Sequence, residues 1–220
     1  RYGAALGIEE RAVYNLRQLV AGNVRRMAFD LGRRSFMPAK IKSIWSEEGL
    51  GGLWKMAKAA MGLTDAFEAT RFEALATLPE DSFGYALYRQ FVDNGFAYPG
   101  QANGLPATML FHDLGHVLAG YDTDPNGELL AAGFQAGYMK SDPLVMYLMI
   151  AMFFQLGIEP LAELRGVPAH KGLLDFEAFR AAYLRGQTCN VDLTTWDPWP
   201  HMERPLEEVR AELAIAPEAV

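Results

Sequence analysis

Apolar positions recur at helical spacing along most of this chain. Val13, Leu16, Val20, Val24 and Met27 fall close to a 3.6-residue period and predict a helix over 9–29. Pro38 and the Gly49-Leu50-Gly51-Gly52 stretch punctuate the next region, so two short helices are expected over about 39–48 and 53–61. Thr64 or Asp65 can cap a helix running to about Thr77, and Ser82 can cap another reaching Asn94-Gly95. A Gly/Pro-rich connection over 98–106 leads into an apolar helix, and the turn YDTDPNG after Gly120 leads into the next, over about 126–139. Ser141-Asp142-Pro143 places a cap before a proline at the first helical position. Further helices are expected over 159–164, 175–185 and 205–213, whereas 188–200, with two prolines and two aspartates, reads as loop. The expected fold class is all-α, a single-domain multi-helix bundle over 1–220 without repeats.

The longest apolar run, LVMYLMIAMFFQL over 144–156, has Gln155 as its only strongly polar member. As a helix it spans roughly 20 Å, short of the hydrocarbon core of about 30 Å. It therefore predicts a buried helix or a hydrophobic wall. Met146, Tyr147, Met149, Ile150 and Phe153 are pliable and bulky enough to line a lipid cavity. Plain core packing would give the same stripe.

Charge changes the picture in one place. The chain of 220 residues has a net charge of −7, which argues against a dedicated nucleic-acid partner. Within 33–58, however, six basic residues stand against two acidic ones. Arg33, Arg34, Lys40, Lys42, Lys55 and Lys58 interleave with Trp45 and Trp54, a composition that suits an anionic membrane surface. Two surface helices with lysines snorkelling round packed tryptophans would look alike. The single cysteine, Cys189, excludes an internal disulfide and a thiolate-rich metal site. No segment reads as a signal peptide, so the expected location is cytoplasmic, peripheral on the inner face of the cytoplasmic membrane.

The stretch FHDLGHVLAGYDTDPNGELL carries the chemistry. Residues four apart on a helix are displaced by about 40° and one turn, so His112 and His116 share a face. Asp113 lies about 60° beyond His116 on the same arc. Glu128 opens the helix after the turn, where a helix hairpin can bring it opposite the strip. Two imidazoles with one or two carboxylates suit a divalent metal: zinc first, with iron and manganese as alternatives. Interior hydrogen bonding of the histidines is the competing reading. It is disfavoured because Phe111, Leu114, Val117 and Leu118 make this helix largely buried, where unpaired polar groups are costly.

The string FHDLGH is similar to the His-Asp doublet of HD-domain phosphohydrolases, but that family needs a ligand histidine on an earlier helix. No histidine precedes His112 here. The longer pattern fits better: HDxxH, eleven residues, then Glu resembles the metal motif of the coenzyme Q biosynthesis protein 4 family, at His112, Asp113, His116 and Glu128. LPEDSFGYALYRQF over 78–91 and RPLEEVRAELAI over 204–215, after WDPWP, also resemble that family, as would a divergent bacterial-type member. Departures lie around the motif. Ala107 to Phe111 replaces a charged run, Ala132 stands where the family often has lysine, and Gln135 where it has glutamate.

The resemblance implies a helical, peripheral membrane protein of ubiquinone biosynthesis. Its partners would be a polyprenyl lipid or prenylated quinone precursor and the other proteins of that pathway. Its role would be either to organise them or to replace the ring carboxylate at C1 by hydroxyl. A non-catalytic lipid-binding or scaffold protein with a structural metal, and a metal-dependent hydrolase of a small substrate, remain open at this point.

Overall fold

The computed structural model describes residues 37–139 and 171–216, together with 14, 17, 18, 21, 23, 150, 154, 155 and 157. Seven α-helices run through them: α1 (Met37–Ala60), α2 (Ala66–Glu73), α3 (Phe83–Asp93), α4 (Phe111–Ala119), α5 (Pro125–Tyr138), α6 (Phe176–Thr188) and α7 (Leu206–Glu212). The all-α expectation holds for these residues, which contain no strand; an isolated bridge pairs Ser82 with Pro205. Most of the helix expected over 9–29, all of that over 159–164 and most of the apolar run over 144–156 lie outside the described residues; of the first, 14, 17 and 18 are helical.

Local chemistry explains where the helices begin. Asp65, Ser82, Asp124 and Asp175 each accept a hydrogen bond from a backbone N–H in the first turn of the adjoining helix, meeting donors that the helix itself leaves unpaired. Pro125 comes directly after Asp124 at the start of α5, where its missing N–H loses nothing. The expected linker at 49–52 is shorter than predicted. Two helical segments of α1 meet in it, and the break falls at Gly49, whose non-helical φ of 60° and ψ of −141° suit glycine alone. The helix expected to reach Thr77 is α-helical only to Glu73 and tightens into a 3-10 turn over Ala74–Thr77.

The core is built from Phe72, Phe83, Leu87, Leu114, Leu118, Leu129, Phe134 and Phe179, all buried. Ile150 and Phe154 of the apolar run belong to the same cluster. The backbone at the start of α3 is tied to the segment before α7: the N–H groups of Phe83 and Gly84 donate to the carbonyls of Arg204 and Met202, each at 2.8 Å. That tie sets α7 beside the C-terminal end of α4. Arg210 donates there to the carbonyls of Val117 (2.8 Å) and Leu118 (2.9 Å), and Arg185 of α6 to that of Ala119 (2.6 Å). Two cations from distant helices thus satisfy the last carbonyls of α4 and face the negative end of its dipole.

Candidate metal centre

The histidine helix ends at Gly120, which adopts the left-handed conformation (φ 77°, ψ 24°) and donates to the carbonyl of His116 at 2.7 Å. Glycine takes this conformation without steric penalty, so the chain reverses within a few residues and α5 returns alongside α4. The expected hairpin is present, and Glu128 in the first turn of α5 faces the two histidines.

Three donor groups meet. Nε2 of His112 lies 3.2 Å from Nε2 of His116 and 3.1 Å from Oε2 of Glu128, and Nε2 of His116 lies 3.3 Å from Oε1 of Glu128. Ligands of tetrahedral zinc, each about 2.0–2.1 Å from the ion, stand about 3.3 Å from one another. The spacing of the donors therefore matches the edges of a coordination shell.

The far side of each ring is also held. Nδ1 of His116 sits 3.1 Å from the carbonyl of Tyr121, which can only accept, so this nitrogen carries the proton. Nδ1 of His112 sits 3.1 Å from Oε1 of Gln135 and donates to it. Both rings are thereby oriented with Nε2 toward the shared space, the usual support of imidazole ligands. His116 is only 2% exposed, whereas the side chains of His112 and Glu128 keep 35% and 31% of their exposure. The group has a closed floor and an open rim.

Asp113 does not join the three. Its short side chain is one position further round α4, and it stays half-buried beside the group. Burial pushes its carboxyl up, against the pull of His112 and His116. Gln135 and the carbonyl of Tyr121 are contributors that the sequence does not announce as such. In the sequence Gln135 reads only as the loss of an acid. Its spacing, seven residues or two turns after Glu128 on α5, is the available signal.

Replacing Gln135 by leucine should weaken metal binding by about 10–100-fold, the usual effect of losing such a support. Gln135→Glu, which keeps the acceptor, should restore it. Chelator competition reads both, and unchanged affinity in the leucine variant would remove the role.

In the metal-free protein burial pulls His112 down, but the hydrogen bond and charge of Glu128 outweigh it and lift the imidazole to about 9. Burial raises Glu128, and the two histidines more than reverse this, holding it at about 2. Both shifts describe one ion pair. The raised histidine contributes stability that is full below about 6.5 and lost as pH climbs through about 9; the depressed carboxylate's contribution is present above about 4.5 and lost as pH falls toward 2. A metal must displace the His112 proton, so its affinity should rise about tenfold per pH unit between 6.5 and 9 and then level. A flat profile over that window would contradict the pairing.

The residues expected to face a membrane part company. Lys40 donates to the carbonyl of Thr194 at 2.6 Å, Lys55 bridges Glu48 (3.0 Å) and Glu68 (3.2 Å), and Lys58 pairs with Asp65. Trp45 and Trp54, by contrast, are 53% and 58% exposed, and Lys42 is exposed. Arg33 and Arg34 lie outside the described residues, as do Met146, Tyr147, Met149 and Phe153 of the expected lipid wall; Ile150 is buried. No helix among the described residues is long and apolar enough to cross a membrane.

No family model and no curated protein matches this chain. Among solved structures, a candidate ubiquinone biosynthesis protein from Nostoc punctiforme PCC 73102 is similar at 19% identity, over 93% of this chain and 94% of that one, with a TM-score of 0.45.

Proposed function

We propose that this protein holds a divalent metal between His112, His116 and Glu128, that Asp113, which stands outside the three here, turns in as a fourth donor when the metal binds, and that the protein acts through the metal on the ring of a prenylated quinone precursor. The observation that carries the metal is the convergence of two imidazole Nε2 atoms and one carboxylate, with both Nδ1 atoms tethered behind them. Hydrogen-bonded core histidines need no such convergence of three ligand-type atoms on one space. The ring substrate is supported by the HDxxH-x11-E pattern and its resemblance to the coenzyme Q biosynthesis protein 4 family.

The open rim at His112 and Glu128 favours a site that admits a ligand over a sealed structural one. A divalent metal there supplies a Lewis-acid centre for a ring carboxylate and its neighbouring phenolate. The chain's own part is to fix the imidazoles, exclude water from the His116 floor and leave the rim free. The proposed conversion replaces the C1 carboxylate by hydroxyl: one water and one dioxygen are consumed, the ring–carboxylate bond breaks to release CO2, and dioxygen takes the two electrons and leaves as hydrogen peroxide. Zinc is the first candidate metal for binding, with iron or manganese as the redox-active alternatives. The prenyl tail is proposed to lie along Met146, Tyr147, Met149, Ile150 and Phe153.

Purified protein should yield about one metal per chain by elemental mass spectrometry, and its organic extract a prenyl lipid. Incubation with a prenylated hydroxybenzoate and dioxygen should release CO2 at a rate that chelation abolishes and metal restores. Metal and lipid without turnover would leave a carrier or organiser of pathway enzymes. Substoichiometric metal in a folded protein, with none bound on addition, would end the proposal.

Contact with a membrane is proposed through the exposed Trp45 and Trp54, with Ile41 and Leu50, since three nearby lysines already have partners within the protein. Vesicle binding should then survive added salt and extend to neutral lipid. Binding that needs anionic lipid and vanishes with salt would return the role to the basic residues.

A further inference from the structure

A cavity of about 450 Å³ opens between α1, α2, the connection before α4 and the loop over 193–199. It touches α4 through Phe111 and Leu114, about 150° round that helix from His112 and His116, and shares no lining residue with the metal group. Charged residues share its lining with Leu63, Leu110, Leu114 and Leu193, and Trp196 and Trp199 stand in its wall. The volume lies within the range of small-molecule sites.

Two residues of the wall carry a buried atom with unmet hydrogen-bonding capacity. Glu68 is 8% exposed, and its Oε2 has no partner; the same is true of the Thr108 hydroxyl. Both atoms are closed to bulk water, so solvent does not supply the missing bonds. The other oxygen of Glu68, Oε1, meets the Lys55 ammonium at 3.2 Å, but that ammonium also serves Glu48 at 3.0 Å. One cation thus stands between two carboxylates. The whole lining repeats the imbalance, with five acidic residues against four basic ones. The wall also accommodates positive charge on its aromatic side, where the Arg71 guanidinium sits 3.6 Å from the Trp199 ring centroid.

We propose that this cavity binds a small primary amine carried on an aromatic or branched apolar body. The terminal torsion of a glutamate is broad, so Glu68 can turn its free oxygen toward the cavity with little strain. An ammonium there supplies the missing donor and the missing positive charge together. A neutral hydroxyl supplies only the first, and an anion meets Glu48 and Glu68 with their one shared cation already committed. The apolar body then lies against Leu110 and the tryptophans.

Titration calorimetry of the full chain with phenethylamine, phenethyl alcohol and phenylacetate, at neutral pH and with metal content measured alongside, tests this directly. The amine should bind, the alcohol should bind at least tenfold more weakly, and the carboxylate should give no heat of binding. Glu68→Gln should weaken the amine at least tenfold while leaving the metal content unchanged. Lys55→Met, which removes the competing ammonium, should tighten it. Equal binding of amine and alcohol, preference for the carboxylate, no binding of the amine at millimolar concentration, or an unchanged affinity in a folded Glu68→Gln variant would each overturn the proposal. Should the glutamine variant fail to fold, an unchanged or weaker amine affinity in Lys55→Met overturns it as well.

Discussion

His116→Ala should weaken metal binding by more than about a hundredfold, because losing a support behind a ligand already costs 10–100-fold and this change removes the ligand itself. His116 is the sharpest probe of the site. Its ring is buried, its Nδ1 proton is fixed by the Tyr121 carbonyl, and its Nε2 contacts both other donors. His112→Ala and Glu128→Ala should fall in the same range, since each removes one corner of a three-donor group. Asp113→Ala separates the proposed fourth donor from the three: a loss of about tenfold or more would keep it in the set, by comparison with the effect of a support. An unchanged affinity would take Asp113 out and leave the other three. Competition with a chromophoric chelator at fixed pH measures all four. The group would lose its assignment if His116→Ala bound metal as tightly as the parent protein.

That site was legible to the extent that its logic is helical. A four-residue spacing puts two side chains on one face, and Gly120 with the turn residues YDTDPNG announces the reversal that brings Glu128 across; that Asp124 caps the returning helix and Pro125 opens it emerged only in the structure. The caps at Asp65 and Ser82 were legible for the same reason, because a side-chain oxygen three residues before a free N–H acts within one turn of chain. What failed to show is long-range. Arg210 reaches carbonyls more than ninety positions away, and no local pattern announces such a partner. The lysines of α1 illustrate the opposite error. Counting charge in a window gave a basic surface, but Lys55 and Lys58 find Glu68 and Asp65 outside that window, while Trp45 and Trp54 are exposed together with Lys42. Gln135 is misjudged through its charge: its use is as an oxygen acceptor for His112, which an amide supplies as well as a carboxylate.

The contact between α5 and α6 gives the largest expected loss of stability. Gly186 of α6 lies against the backbone of α5, where an added Cβ would fall 2.1 Å from the carbonyl oxygen of Phe134 and 3.1 Å from Cα of Gly137. Gly137 makes the reciprocal approach, its Cβ position lying 2.2 Å from the carbonyl oxygen of Tyr183. Neither obstacle is the end of a flexible side chain, so the helices themselves must part. Two effects oppose each other in Gly186→Ala. Helix propensity favours alanine by about 1 kcal/mol, whereas overpacking a close contact costs about 1–3 kcal/mol and sometimes more. With backbone on both sides, the upper end of the cost applies, for a net loss of about 2 kcal/mol. In a chain of this size that lowers Tm by about 4–8 °C. The same displacement should reach the metal, because α5 carries both Glu128 and Gln135. Gly186→Ala should therefore weaken metal binding together with stability, although residue 186 touches none of the donors. Thermal melts in the presence of chelator measure the first effect, and chelator competition below the melting range measures the second. A variant that melts higher than the parent would mean that propensity wins and that the two helices are free to separate.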